Sequence, residues 1–207
     1  YAMAWSDELE VVSFPESVVS ILAEAVGRCH NLRIVNLPGS LESLQSYAFL
    51  ECPSIEGFFG NEKFHTSDNR CLKFEMDNPY VPQSWLGTWI CGFAGNGLTE
   101  YTIPEGIKGI ENYTFQDEKD LISVTLPSSL VEVGAYAFYN CPNLEAVYGP
   151  NTSEDHRSII FGDQFRLFAA RKGIKHIHIP DNVTEIGYQV FAECQELETI
   201  TMGDQVE

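Results

Sequence analysis

The chain has 207 residues, 44% of them apolar and 12% aromatic, and its 12 basic and 30 acidic side chains leave a formal charge of −18. This is enough apolar material for a buried core and too much for a disordered chain, while no run reaches the roughly 18 to 20 apolar residues of a membrane helix. With a pI near 4.5 and no Lys or Arg cluster the surface repels phosphate backbones and anionic membranes, so nucleic acid is not an expected partner.

Residues 1–7 carry neither the basic start nor the apolar centre of a signal peptide, and a soluble chain trimmed at its front is expected. From there one phrase keeps returning. Ser13-Phe14-Pro15, Asn36-Leu37-Pro38, Thr102-Ile103-Pro104, Thr125-Leu126-Pro127 and His178-Ile179-Pro180 each open a similar stretch. Pro15 and Pro38 lie 23 residues apart, as do Pro104 and Pro127, whereas the intervals of 66 and 53 residues before Pro104 and Pro180 hold insertions. Three residues after each Pro stand Val18, Leu41, Ile107, Leu130 and Val183, and six after stand Ile21, Leu44, Ile110, Val133 and Ile186. Eleven after come Val26, Phe49, Phe115, Phe138 and Phe191, and seventeen after come Leu32, Ile55, Leu121, Leu144 and Leu197.

A unit with so few apolar positions cannot bury them alone, but stacked on its neighbours it adds one rung to several continuous apolar ladders. The spacing therefore predicts a solenoid with one elongated interior. The residues before each Pro alternate in, out, in, as a short strand does, and Pro ends the pairing because it has no N–H to donate. Stacked coils place these strands in a parallel sheet. Ala135-Tyr136-Ala137-Phe138-Tyr139 is too short for an independent helix and reads as one helical turn closing the coil. Regular coils are expected at about 9–57, 98–148 and 174–207 of a single domain, with insertions at about 58–97 and 149–173.

The first insertion predicts a β-hairpin, with Cys71 to Met76 and Trp85 to Cys91 as strands around residues 77–83. Phe58, Phe59, Tyr80, Trp85 and Trp89 make it the most aromatic part of the chain. Such a cluster is either an exposed interface or a local core sealing the insertion. In the second insertion Ile159-Ile160-Phe161 and Gln164-Phe165-Arg166-Leu167-Phe168 flank Gly162-Asp163, again a hairpin.

The units from about Leu9 onward resemble the leucine-rich repeats of the BspA-like family of bacterial cell-surface proteins. The residues that carry the likeness are Val133-Gly134-Ala135-Tyr136-Ala137-Phe138-Tyr139-Asn140-Cys141-Pro142-Asn143-Leu144 and weaker copies from Leu44 to Ile55 and Ile186 to Leu197. Asp68-Asn69-Arg70-Cys71-Leu72 and the stretch from Phe93 to Pro104 are similar to linking segments of that family. The resemblance implies an α/β-type, β-dominated leucine-rich-repeat solenoid with short helical turns. It also implies an extracellular or cell-surface location and contact with host or neighbouring-cell macromolecules. One unit departs from the pattern with Glu118 where others carry Cys, and its loop is expected to be looser.

Cys29, Cys52, Cys141 and Cys194 all lie fourteen residues after their Pro, a repeated interior position that suits a small thiol. With no C-x-x-C pair, metal binding is not expected. Cys71 and Cys91 stand at the open ends of the proposed hairpin, where a cross-strand disulfide competes with two free thiols. Lys175-His176-Ile177-His178 puts two imidazoles on one strand face, more readily a solvated face than a metal site. Gly92 to Gly97 lacks the Lys and helix of a phosphate loop and reads as a turn. Asn112, Asn151 and Asn182 fit the glycosylation pattern.

No Ser, Cys or Thr occupies a recognisable nucleophile motif, so neither an enzyme nor a cofactor is expected. The expected function is macromolecular binding, through the outward strand positions two and four residues before each Pro or through Trp85 and Trp89. Those outward residues are Val11, Ser13, Ile34, Asn36, Glu100, Thr102, Ser123, Thr125, His176, His178, Thr199 and Thr201. A structural spacer without a ligand and a glycan-binding module using the tryptophans are the alternatives. Because residues 202–207 begin a further unit, an uncapped coil and end-to-end self-association are expected.

Overall fold

The computed structural model describes residues 5–81, 83–134, 136–149, 158–159, 168–169, 176–179 and 198–202. The first insertion and the coils around it hold strands β1 (Val11–Ser13), β2 (Ser20–Ile21), β3 (Ile34–Leu37), β4 (Ser43–Leu44), β5 (Gly57–Gly60), β6 (Cys71–Met76) and β7 (Gly87–Phe93). After it come β8 (Glu100–Thr102), β9 (Ile107–Ile110), β10 (Ser123–Thr125), β11 (Glu132–Val133) and β12 (Ala146–Tyr148). Four further strands follow: β13 (Ser158–Ile159), β14 (Phe168–Ala169), β15 (His176–Ile179) and β16 (Thr199–Met202).

The coils that open at Pro15, Pro38, Pro104 and Pro127 each contribute two strands where the sequence predicts one. The strand before Pro stacks in the ladders β1-β3-β5 and β8-β10-β12, in parallel register with Val11 opposite Ile34 and Val124 opposite Tyr101 and Val147. Its middle residue points inward: Val12, Val35, Val124 and Val147 are buried between more exposed neighbours. The second strand ends six residues after Pro and forms its own ladders, β2-β4 and β11-β9-β7-β6, with Ile21 opposite Leu44 and Val133 opposite Ile110. The aliphatic column at that position is therefore the inner face of a second parallel sheet.

The expected helical turn is absent from the described coils, and the backbone shows why. Nine and thirteen residues after each Pro stand Glu24 and Arg28, Tyr47 and Glu51, Tyr113 and Asp117, and Tyr136 and Asn140, all left-handed with φ between 54° and 66°. A left-handed residue costs roughly 1 to 2 kcal/mol and cannot continue a right-handed helix. The cost is offset by hydrogen bonds to the next coil, such as Glu24 N–H to Tyr47 O at 2.9 Å and Asp117 N–H to Tyr139 O at 2.9 Å. The described helix is confined to one 3-10 turn, Gln83–Trp85.

Both long units leave their coil at a glycine in the same register, Gly60 with φ 96° and Gly149 with φ 144°. A Cβ on Gly60 would stand 2.1 Å from the carbonyl oxygen of Leu37, so only glycine can make this exit. The chain then builds the antiparallel hairpin β6-β7, and β7 joins the second ladder beside β9. In the second insertion β13 pairs antiparallel with β14, and its turn lies outside the described residues.

The interior is not one continuous ladder. It forms two clusters, with the β6-β7 hairpin as the wall between them. Cys71, Ile90 and Phe93 face the cluster of the later coils, while Leu72, Cys91 and Ala94 face that of the earlier ones. Phe93 packs on Phe115 at 4.6 Å and Phe115 stacks on Phe138 at 4.8 Å, so the Phe column restarts at the wall. Phe191 and Cys194 lie outside the described residues.

Candidate interaction surface

The strand before each Pro alternates its side chains, so the residues two and four positions before Pro stand on the outer face in columns. Ser13, Asn36 and Phe59 form one column, and the Asn36 amide donates to the Ser13 hydroxyl at 2.9 Å. Thr102, Thr125 and Tyr148 form its counterpart in the later coils, beside Glu100, Ser123 and Ala146. Val11 is 52% exposed, and Ile34 is half-buried beside it. In β15 and β16, His176 pairs with Thr199 and His178 with Thr201 in parallel register, which places all four at matching ladder positions.

Two more residues stand on this face: one is read from the sequence only as part of the aromatic insertion, and the other is not singled out there. Phe59 and Tyr148, 37% and 43% exposed, each end a three-strand column. They lie 23 residues after Asn36 and Thr125, so the repeat spacing alone marks them. Each column thus runs from small polar side chains to an exposed aromatic, the residue type that contributes most at interfaces.

The aromatic insertion divides between the two readings. Trp89 is buried, lies against Gly109, and donates its indole N–H to the carbonyl of Trp85 at 2.8 Å. Trp85 is half-buried with its ring 5.7 Å from that of Trp89, and Tyr80 is 94% exposed at the tip. Trp89 therefore serves the wall of the insertion, and the accessible aromatic surface there is Tyr80 with part of Trp85.

Cys71 and Cys91 are not cross-strand partners. The register sets Cys71 opposite Phe93 and Leu72 opposite Gly92, a bulge follows, and the two free thiols face different clusters. Cys71 lies 3.3 Å from the Tyr101 hydroxyl, which donates to Asp68 at 3.0 Å. Burial holds the Cys71 thiol and the Tyr101 phenol far above their usual ranges. It pushes Cys52 and Cys91 up to about 12, so these thiols stay protonated and unreactive. The repeated cysteines act structurally: Cys52 donates to Val26 O at 3.1 Å and Cys141 to Phe115 O at 2.9 Å, each reaching the preceding coil.

Glu118 corrects the expectation of a loose loop. It is buried in the place of those cysteines and accepts the backbone N–H of Gly95, where a Cβ would stand 2.2 Å from its carboxylate oxygen. A longer arm closes the coil across a gap that only glycine leaves open. No group of His, Cys, Asp and Glu with metal-binding geometry occurs among the described residues, and no described helix is long and apolar enough to cross a membrane.

Residues 1–81 and 91–207 match the BspA type leucine rich repeat region in six copies. A leucine rich cell surface protein from Faecalibacterium prausnitzii A2-165 has a similar solved structure, with a TM-score of 0.67 and 24% identity over 94% of this chain and 54% of that one. The pneumococcal vaccine antigen PcpA is similar with a TM-score of 0.64 and 21% identity, over 96% of this chain and 52% of its own. A leucine-rich repeat protein from Eubacterium ventriosum ATCC 27560 follows with a TM-score of 0.58 and 14% identity, over 95% and 55%. The chain spans about half the length of these solved chains, and at such identities the likeness is one of fold. No curated protein matches the chain.

Proposed function

Because the chain belongs to the BspA type leucine-rich repeat family, we propose that it is a protein-interaction module displayed at a cell surface, binding a protein partner with the outer face of its first-strand ladders. One observation carries this reading: the columns Ser13-Asn36-Phe59 and Thr102-Thr125-Tyr148 stand in strict parallel register and end in exposed aromatics. A backbone already fixed by ladder hydrogen bonds loses little entropy on docking, so modest polar contacts around an aromatic anchor add up to useful affinity. Family membership and the cell-surface relative support the location.

The test is capture of cell-surface proteins by the wild type and by two variants, Phe59→Ala with Tyr148→Ala, and Thr102→Glu with Thr125→Glu, each checked for intact folding by circular dichroism. The partner identified with the wild type should bind either variant at least about tenfold more weakly, since exposed aromatic anchors are worth more than about 1 kcal/mol each. Equal binding by all three forms rejects the strand face. A further variant, Trp85→Ala, covers the insertion, and loss of binding in that variant alone moves the site there.

A further inference from the structure

On the turn side, coil is tied to coil by the backbone. Glu24, Val26 and Arg28 N–H donate to Tyr47, Ala48 and Leu50 O, and Phe115 and Asp117 N–H donate to Ala137 and Tyr139 O. The first insertion removes the turn that should follow the Pro38 coil. Tyr47, Phe49 and Glu51 repeat the positions of Glu24, Val26 and Arg28, yet their N–H groups reach no acceptor among the described residues. The second ladder stops at the same level, since β4 pairs only with β2 and β6 ends a different sheet.

The strand side, by contrast, is continuous. Phe58 N–H donates to Asn69 O at 2.9 Å, Ala94 N–H to Arg70 O at 2.8 Å and Asn96 N–H to Ile55 O at 3.4 Å, with the Arg70 guanidinium bridging Glu56 O and Ala94 O. On the turn side the described contacts are between side chains. Leu72 and Cys91 close on the earlier cluster, and Tyr47 meets Tyr113 edge to face with ring centroids 6.0 Å apart. Among the described residues no other ring pair crosses this seam: Phe49 packs on Phe14 and Phe58, and Phe115 on Phe93 and Phe138. The space behind the two tyrosines holds about 40 Å³, room for water and not for another turn of chain.

One edge that is hydrogen-bonded and an opposite edge that is only packed make a hinge. Ladder bonds fix the distance between rungs, whereas side-chain contacts part or slide at a free energy below that of global unfolding. We propose that the solenoid bends at this seam, with Phe58, Arg70 and Ala94 as its axis and the Tyr47–Tyr113 contact as the clasp that holds it closed. Parting the turn side rotates the earlier coils about the strand side. The outer strand face then grows more concave, and the columns Ser13-Asn36-Phe59 and Thr102-Thr125-Tyr148 tilt toward each other. A single edge-to-face pair is a weak restraint, so losing it shifts the population of the open form. The bend is a property of the fold and stands whether or not the strand face binds a protein.

Residual dipolar couplings of the full chain, fitted for residues 9–60 and 98–149, test this in the wild type, Tyr47→Ala and Tyr136→Ala. Tyr136 stacks on Tyr113 at 5.3 Å within the hydrogen-bonded later coils, so its loss removes a ring without touching the clasp. In Tyr47→Ala the misfit of one alignment tensor shared by both segments should rise at least about twofold over wild type, and in Tyr136→Ala it should not change. Equal misfit in all three forms, or an equal rise in both variants, overturns the proposal. If Tyr47→Ala fails to fold, relaxation dispersion on the wild type decides. Exchange confined to residues 45–55, 90–94 and 111–118 supports the hinge, and exchange that is absent there or spread evenly through the later coils overturns it.

Discussion

The paired coils after Pro104 and Pro127 and the insertion between Gly60 and Phe93 satisfy the same backbone by different means. In the coils backbone N–H groups reach carbonyls 22 residues on in the next coil, as in Phe115 N–H to Ala137 O at 2.7 Å and Ile103 N–H to Thr125 O at 2.9 Å. The insertion pairs its own backbone in the β6-β7 hairpin, and side chains tie it to the coils at its edges. Arg70 donates to Glu56 O at 2.9 Å and Ala94 O at 3.0 Å, and Asn61 donates to Pro38 O and Gly39 O. A repeated coil therefore depends on the size of its interior residues, and the insertion on a few polar ones.

That contrast can be broken most sharply at Phe115, fully buried between Phe93 and Phe138. Phe115→Ala should cost about 3 to 5 kcal/mol in urea unfolding, because the stack on either side cannot close over the hole. Glu118 comes next. Its folded carboxyl titrates near 8 and its unfolded one near 4.5, so the folded chain holds the proton more tightly and stability must fall as pH rises between those values. The slope should reach up to about 1.4 kcal/mol per pH unit, and Glu118→Gln should flatten it in a series of urea midpoints.

Arg70→Ala should cost about 1.5 to 3 kcal/mol, the range for hydrogen bonds to a charged group, and hydrogen exchange should speed first in the strand of Phe58 and around Ala94. If exchange instead accelerates evenly through the later coils, the two regions are not distinct in the way described. The smallest effect belongs to Asn36→Ala, which removes an exposed hydrogen bond to Ser13 and should change the midpoint by less than about 1 kcal/mol.

The repeat was legible because its interior positions are chemically uniform: Leu41, Ile107 and Leu130 after Pro, and Leu32, Ile55, Leu121 and Leu144 before the strand, are all buried. The second ladder was hidden because a two-residue strand such as Ser43–Leu44 is too short to show alternation. The left-handed turns were hidden because Glu24, Arg28, Tyr47 and Glu51 are not residues that announce positive φ, and they hold it through bonds to a neighbouring coil. At the hairpin, the side each thiol faces depends on the bulge after Leu72, which no spacing reveals. On the strand face, Asn36, Thr102 and Thr125 could be placed by counting, whereas the inward turn of Trp89 follows from the empty space above Gly109.

The matched exits at Gly60 and Gly149 make this architecture a socket. A polypeptide that departs at one fixed joint, and whose return strand β7 locks beside β9, leaves what lies between free to change in length and composition. Since widening such an excursion adds only about 0.6 kcal/mol for each doubling, foreign sequence spliced between Asp77 and Val81, next to the outstanding ring of Tyr80, should be carried without disturbing the stack beneath.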